Sequence, residues 1–127
     1  MALKDNLGKT TSILVAGGSG EDEYESKYGL LKSTELLQIK GMVWTFGPDL
    51  LMGSSGATLI DSPSSEYTAV IIGGHKTWGP QEYDWNGTSI YGLDRMKNKW
   101  VSIGDLKRGR NSATAIRAPL DFFHGCE

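Results

Sequence analysis

The side chains with the widest chemical repertoire are few and scattered. The chain carries two histidines, His75 and His124, and one cysteine, Cys126. To hold a metal, one ligand from a loop and two from the end of the chain would have to converge. No HExxH or paired CxxC presents ligands at metal spacing. Ser, Asp and His are all present, but no GxSxG elbow frames a nucleophile. Glu21, Asp22 and Glu23 form an acidic run that reads as a solvated loop. Gly8-Lys9-Thr10 matches the end of a phosphate loop, GxxxxGK[ST], whose first Gly would fall at position 3, occupied by Leu3. Strand-like ILVA follows where a helix should aim its N-terminus at phosphate. The residues therefore point to no catalytic, cofactor-binding or metal site. Groups suited to recognition are denser. Trp78, Tyr83 and Trp85 stand in HKTWGPQEYDWNG, residues 75–87, and Arg108, Arg110 and Asn111 in GDLKRGRN, residues 104–111. Loop aromatics make binding hot spots, and Arg and Asn supply donors for a carboxylate or a backbone carbonyl. Against this stands a plain alternative, in which the aromatics fold back as local core and the arginines decorate a solvated turn.

Bulk properties narrow the classes further. At 127 residues the chain is one small domain or part of a larger one. A net charge of −2 lacks the basic face that supplies most affinity for nucleic acid, so no nucleic-acid partner is expected. There is no apolar run of about 18 residues to cross a membrane, and MALKDNLGKT has no signal-peptide core. A single cysteine permits no internal disulfide, which fits a reducing, cytoplasmic setting. Asn86-Gly87-Thr88 is a glycosylation sequon that reads, without a leader, as an Asn-Gly turn before a strand.

The elements that must position the recognition residues come in two similar sets. SILVAGG, Ser12 to Gly18, returns as YTAVIIGG at residues 67–74, with the Gly pairs 73 − 17 = 56 positions apart. Sliding residues 17–60 onto 73–116 needs no gap. Identities then fall at Gly17/Gly73, Gly18/Gly74, Ser33/Ser89, Leu37/Leu93, Trp44/Trp100, Asp49/Asp105, Leu50/Leu106, Gly53/Gly109, Ala57/Ala113, Thr58/Thr114 and Ile60/Ile116. Average composition would match about 6% of positions, roughly 3 over this span, so the repeat is real. Strands are expected at 11–16, 33–39, 43–46, 54–60, 67–72, 88–94, 99–103 and 112–117, with long loops at 19–32 and 75–87. No stretch has helical periodicity, and the chain reads as all-β. The expected units are a strand remnant or linker at 1–10, a first repeat at 11–60, a second at 61–117 and an irregular tail at 118–127. Trp44 and Trp100, repeated in register, are expected to pack between units.

An apolar strand ending in Gly-Gly, a variable loop, a second strand, a polar turn, a Trp-led outer strand and an Arg-containing link together resemble the kelch repeat. The resemblance covers most of residues 11–117, through ILVAGG…STELLQIKGMVWTF and TAVIIGG…TSIYGLDRMKNKWVSI. Kelch repeats run about 50 residues, and each makes a four-stranded blade of a β-propeller. Where they usually carry a Tyr ahead of the Trp, this chain has Leu37 and Leu93. The resemblance implies two blades of an incomplete ring, needing further blades from a longer chain or from self-association. It also implies a protein or peptide partner held, without turnover or cofactor, by loops on one propeller face. Loops 19–32, 47–53, 75–87 and 104–111 would share that face. Recruitment of substrate to a cullin-type ubiquitin ligase is a family-level implication and would require an N-terminal BTB domain. A fragment of a propeller enzyme or carbohydrate-binding protein, and a non-functional truncated product, are the alternatives.

Overall fold

The computed structural model describes residues 1–22, 27–62, 64–79, 82–84 and 87–118, with the backbone alone at 22, 27–28, 77–79 and 82–84. These residues are all-β, with no helix among them. Two four-stranded antiparallel sheets form the body. The first contains β1 (Ala2–Lys4), β2 (Thr10–Ala16), β5 (Thr34–Gln38) and β6 (Val43–Phe46), hydrogen-bonded in that order. Between β2 and β5 the chain makes a separate hairpin of β3 (Ser19–Asp22) and β4 (Lys27–Leu30). A short β7 (Ser54–Ser55) follows, then the second sheet of β8 (Thr58–Asp61), β9 (Tyr67–Ile72), β12 (Ser89–Asp94) and β13 (Lys99–Asp105). Between β9 and β12 lie β10 (His75–Gly79) and β11 (Glu82–Asp84), which join β7 in a three-stranded sheet.

The strands form where β-branched and apolar residues concentrate, as in TTSILVA and YTAVII, because such side chains pack well on a pleated surface. Alternation then sends neighbouring residues to opposite faces. In β2, Ser12 and Leu14 are buried, whereas Val15 points to the other face and is exposed. In the second sheet Ala69, Ile71, Tyr91, Leu93 and Trp100 share one face. They meet Leu14 and Leu50, with Leu3, Ala16 and Leu36 packed around them. The core is thus one face of the first sheet laid against one face of the second.

The repeat legible in the sequence holds in the backbone. Gly17 N–H donates to Ser33 O at 3.0 Å and Gly73 N–H to Ser89 O at 2.9 Å. Gly18 N–H donates to Ser54 O and Gly74 N–H to Arg110 O, each at 2.7 Å. Leu50 N–H donates to Lys32 O and Leu106 N–H to Thr88 O, also at 2.7 Å. Every donor and acceptor in the second bond of each pair lies 56 positions beyond its counterpart. The glycine pairs show why the sequence needs them. Gly17 and Gly73 have φ of 66° and 65°, and a Cβ on either would collide with the carbonyl of Ser54 or Arg110.

Four expectations change. The loops 19–32 and 75–87 contain the β3–β4 and β10–β11 hairpins; β7 supplies an edge on which the second can build. The run 54–60 splits at Gly56, whose φ is 66°, into β7 and β8. The strand at 112–117 does not form. Its counterpart, β8, is a strand because β9 lies beside it, whereas 112–117 has no pairing strand among the described residues and only isolated bonds, such as Ser112 N–H to Gly56 O at 2.7 Å. β8 belongs to the second sheet and β1 to the first. The tail beyond 118 lies outside the described residues.

Trp44 is the fourth correction. Trp100 is 2% exposed, with its indole N–H donating to Pro48 O at 3.1 Å, so it does lie against the preceding unit. Trp44 is 51% exposed. Register puts it on the outer face of the first sheet, beside Leu37, which is 6% exposed.

Candidate functional site

The second Gly pair gathers the chain segments singled out for recognition. Gly74 N–H donates to Arg110 O at 2.7 Å, Gly87 N–H to Gly74 O at 2.9 Å, and Arg110 N–H to Gly87 O at 3.1 Å. This three-way knot ties the base of residues 75–87 to the link 104–111. Gly87 has to be a glycine here, since a Cβ would lie 2.5 Å from Gly74 O and 3.1 Å from Lys76 Cγ. The first unit has the same knot at Gly18, Leu31 and Ser54, with bonds of 2.7, 2.9 and 3.0 Å. The β7–β10 ladder then joins the two, through the Ser55/His75 and Ser54/Lys76 pairs. The bases of segments 19–32, 47–53, 75–87 and 104–111 are therefore tied to one another.

Trp78 lies on β10 and Tyr83 on β11, paired strands of one hairpin, with Thr77 opposite Tyr83. Trp85 and Asn86 lie outside the described residues. Arg108 and Arg110 are exposed and Asn111 is half-buried. The backbone of Arg110 is fully engaged in the knot while its side chain reaches solvent. The structure thus brings the hairpin carrying Trp78 and Tyr83 to the segment carrying Arg108, Arg110 and Asn111.

Composition and spacing missed the most deeply buried charged residue here, Lys76. It is 1% exposed, its ammonium donates to Ser54 Oγ at 2.7 Å and sits 5.3 Å from the centroid of the Tyr91 ring. A hydroxyl acceptor and an aromatic face offset part of the cost of removing the charge from water. Ser54 belongs to the first unit's link and Tyr91 to the second sheet, so Lys76 also fastens the two units. Lysine in an ordinary polar loop carries no sequence signal for this role; only the partner two dozen residues away does.

Residues weighed for other chemistry are dispersed. His75 is half-buried on β10, opposite Ser55. His124, Cys126 and Glu23 lie outside the described residues, and Glu21 is exposed on β3. Among the described residues no group of three or more His, Cys, Asp or Glu could hold a metal ion. Gly8-Lys9-Thr10 closes the β1–β2 hairpin: Asp5 Oδ1 accepts from the N–H groups of Leu7 and Lys9, and β2 begins at Thr10 where a phosphate loop would begin a helix. A cleft of about 820 Å³ opens between the β1 and β8 strands, and includes Lys4, Asp5, Asp61, Arg95 and Arg117 in its lining. Its charges are of both signs, and Arg117 pairs with Asp61 at 3.7 Å. Among the described residues no helix is long and apolar enough to cross a membrane.

No protein-family model matches the chain, and no curated protein matches it.

Proposed function

We propose that the chain supplies two kelch-type blades of a β-propeller and acts as a protein-interaction module without enzymatic turnover. The observation that carries the proposal is the pair of backbone knots repeated 56 residues apart, each at the end of an apolar strand marked by Gly-Gly. The bonds among Gly74, Gly87 and Arg110 support a shared recognition surface for Arg108, Arg110 and Asn111 with the hairpin of Trp78 and Tyr83. Aromatics give contact area at low entropic cost, and guanidinium groups add charge-assisted bonds to carboxylates. An extended acidic peptide segment is the partner chemistry that suits this combination. The cytoplasm is the setting that suits a chain with one cysteine.

The test is a peptide-array screen followed by fluorescence anisotropy. Peptides rich in Asp and Glu should bind, and binding should weaken with salt as exposed charges are screened. Arg108→Ala combined with Arg110→Ala should reduce affinity at least ~10-fold, about 1.4 kcal/mol. The same change should leave the melting temperature nearly unaltered, since both side chains are exposed. Equal binding of acidic and neutral peptides, or affinity indifferent to the double substitution, would refute the reading.

A further inference from the structure

We propose that this chain associates head-to-tail with a second copy of itself, through the outer face of its first sheet and the outer face of its second. The proposal stands on the repeat and its packing and does not require the peptide-binding reading.

The face of the second sheet that packs internally holds Ala69, Ile71, Leu93 and Trp100. Shifted by 56, it becomes Ile13, Val15, Leu37 and Trp44, which register places together on the outer face of the first sheet. That face is mostly apolar and open at its rim: Val15 and Trp44 are exposed and Phe46 beside them is 76% exposed, around Leu37, which is 6% exposed. The complementary internal face, on the first sheet, is built on Leu14, Ala16 and Leu36. Its shifted equivalents are Val70, Ile72 and Gly92, on the outer face of the second sheet with Ile90 and Val101; Val70 and Gly92 are buried and the other three half-buried. The one apparent gap, Gly92 in place of Leu36, is filled: a Cβ on Gly92 would lie 2.7 Å from the Tyr67 ring, which covers that spot. The chain's two outward faces are therefore the repeat equivalents of the two faces it already packs against each other.

Two polar features extend the match. Trp100 donates to Pro48 O, so Trp44 of one copy would donate to the backbone carbonyl at 48 + 56 = 104, Gly104 of the other. Strand β10 pairs with β7 through His75/Ser55 and Lys76/Ser54. The equivalent ladder puts Ser19 opposite Asn111 and Gly20 opposite Arg110 of the second copy. Strand β3 carries Ser19 and Gly20 and is paired on one side only, with β4. Such an interface is heterologous, each copy using a different face, so every copy keeps one face for the next. Glu35, standing where Tyr91 does, is the position at which the outer face departs most from its template.

The experiment uses two full-length variants and light scattering coupled to gel filtration. Trp44→Arg blocks the first outer face, and Ile90→Arg blocks the second; Val101→Arg replaces Ile90→Arg if circular dichroism shows that variant unfolded. Wild type should run as an oligomer with a mass that is a whole multiple of the chain's. Each variant alone should be a folded monomer, because neither offers both faces intact. Mixed, the two should form a 1:1 dimer, since each contributes the face the other lacks. Loss of the central aromatic should weaken association at least ~30-fold. A folded wild-type monomer, as expected if a further unit of a longer chain covers the face, would overturn the proposal. So would self-association of Ile90→Arg alone, which marks face-to-same-face docking, or folded variants that fail to combine.

Discussion

Trp44 and Trp100 occupy the same position in the repeat but different environments, so truncating each to alanine separates repeat from context. Trp100 is 2% exposed in the contact between sheets and donates to Pro48 O. Full burial of a Trp removes about 200 Å² from water, worth about 5 kcal/mol at ~25 cal/mol/Å², and large-to-small aromatic changes in cores cost about 3–5 kcal/mol. The lost indole hydrogen bond adds little, because Pro48 O still accepts from Thr34 Oγ1 at 2.9 Å and is not orphaned. Trp100→Ala should therefore cost about 3–5 kcal/mol. Trp44, 51% exposed, has about half the burial to lose, so Trp44→Ala should cost no more than ~2.5 kcal/mol. The assay is thermal and urea unfolding in the Ile90→Arg background, which removes self-association from the comparison. At roughly 4 °C per kcal/mol for a domain of this size, Trp100→Ala should lower Tm by about 12–20 °C and Trp44→Ala by no more than ~10 °C. Equal losses would refute the assignment of Trp100 to the contact between sheets and of Trp44 to an open face.

The same contrast applies to the second Gly of each pair. Gly74→Ala should destabilise by about 3 kcal/mol or more, since φ is 90° and the new Cβ would lie 2.8 Å from Ala57 Cβ and 2.9 Å from Ser54 Oγ. Gly18→Ala, with φ of 112° and nothing within 4 Å, should carry only the backbone cost of about 1–2 kcal/mol; comparative urea unfolding reads the difference. Ser54→Ala removes an acceptor from the buried Lys76 ammonium and should cost about 1–3 kcal/mol, measured by the same method. A result within error of wild type would show that the ammonium gains nothing from that hydroxyl.

Much of the fold was legible from local chemistry. Runs of β-branched and apolar residues marked β2, β5, β6, β9, β12 and β13, and the 56-residue recurrence of Gly-Gly and Trp announced two equivalent units. Those signals are local because a strand's propensity and a positive-φ glycine are properties of a few adjacent residues. The hairpins β3–β4 and β10–β11 were not visible, since their polar residues carry no apolar alternation; β10 has the edge of β7 to build on, whereas β3 and β4 pair only with each other. Residues 112–117 show the converse: strand-like in composition, they lack a strand to pair with. Residue types alone nominated Arg108, Arg110 and the aromatics at 78 and 83 for recognition. Their gathering depends on hydrogen bonds spanning more than 30 residues, between Gly74 and Arg110. Burial was the least legible property. Trp44 and Trp100 match in sequence, as do Gly18 and Gly74, yet one of each pair is enclosed and the other open. Identity at equivalent positions fixes what a side chain can contact; whether a neighbouring sheet is there to be contacted is decided only by tertiary packing.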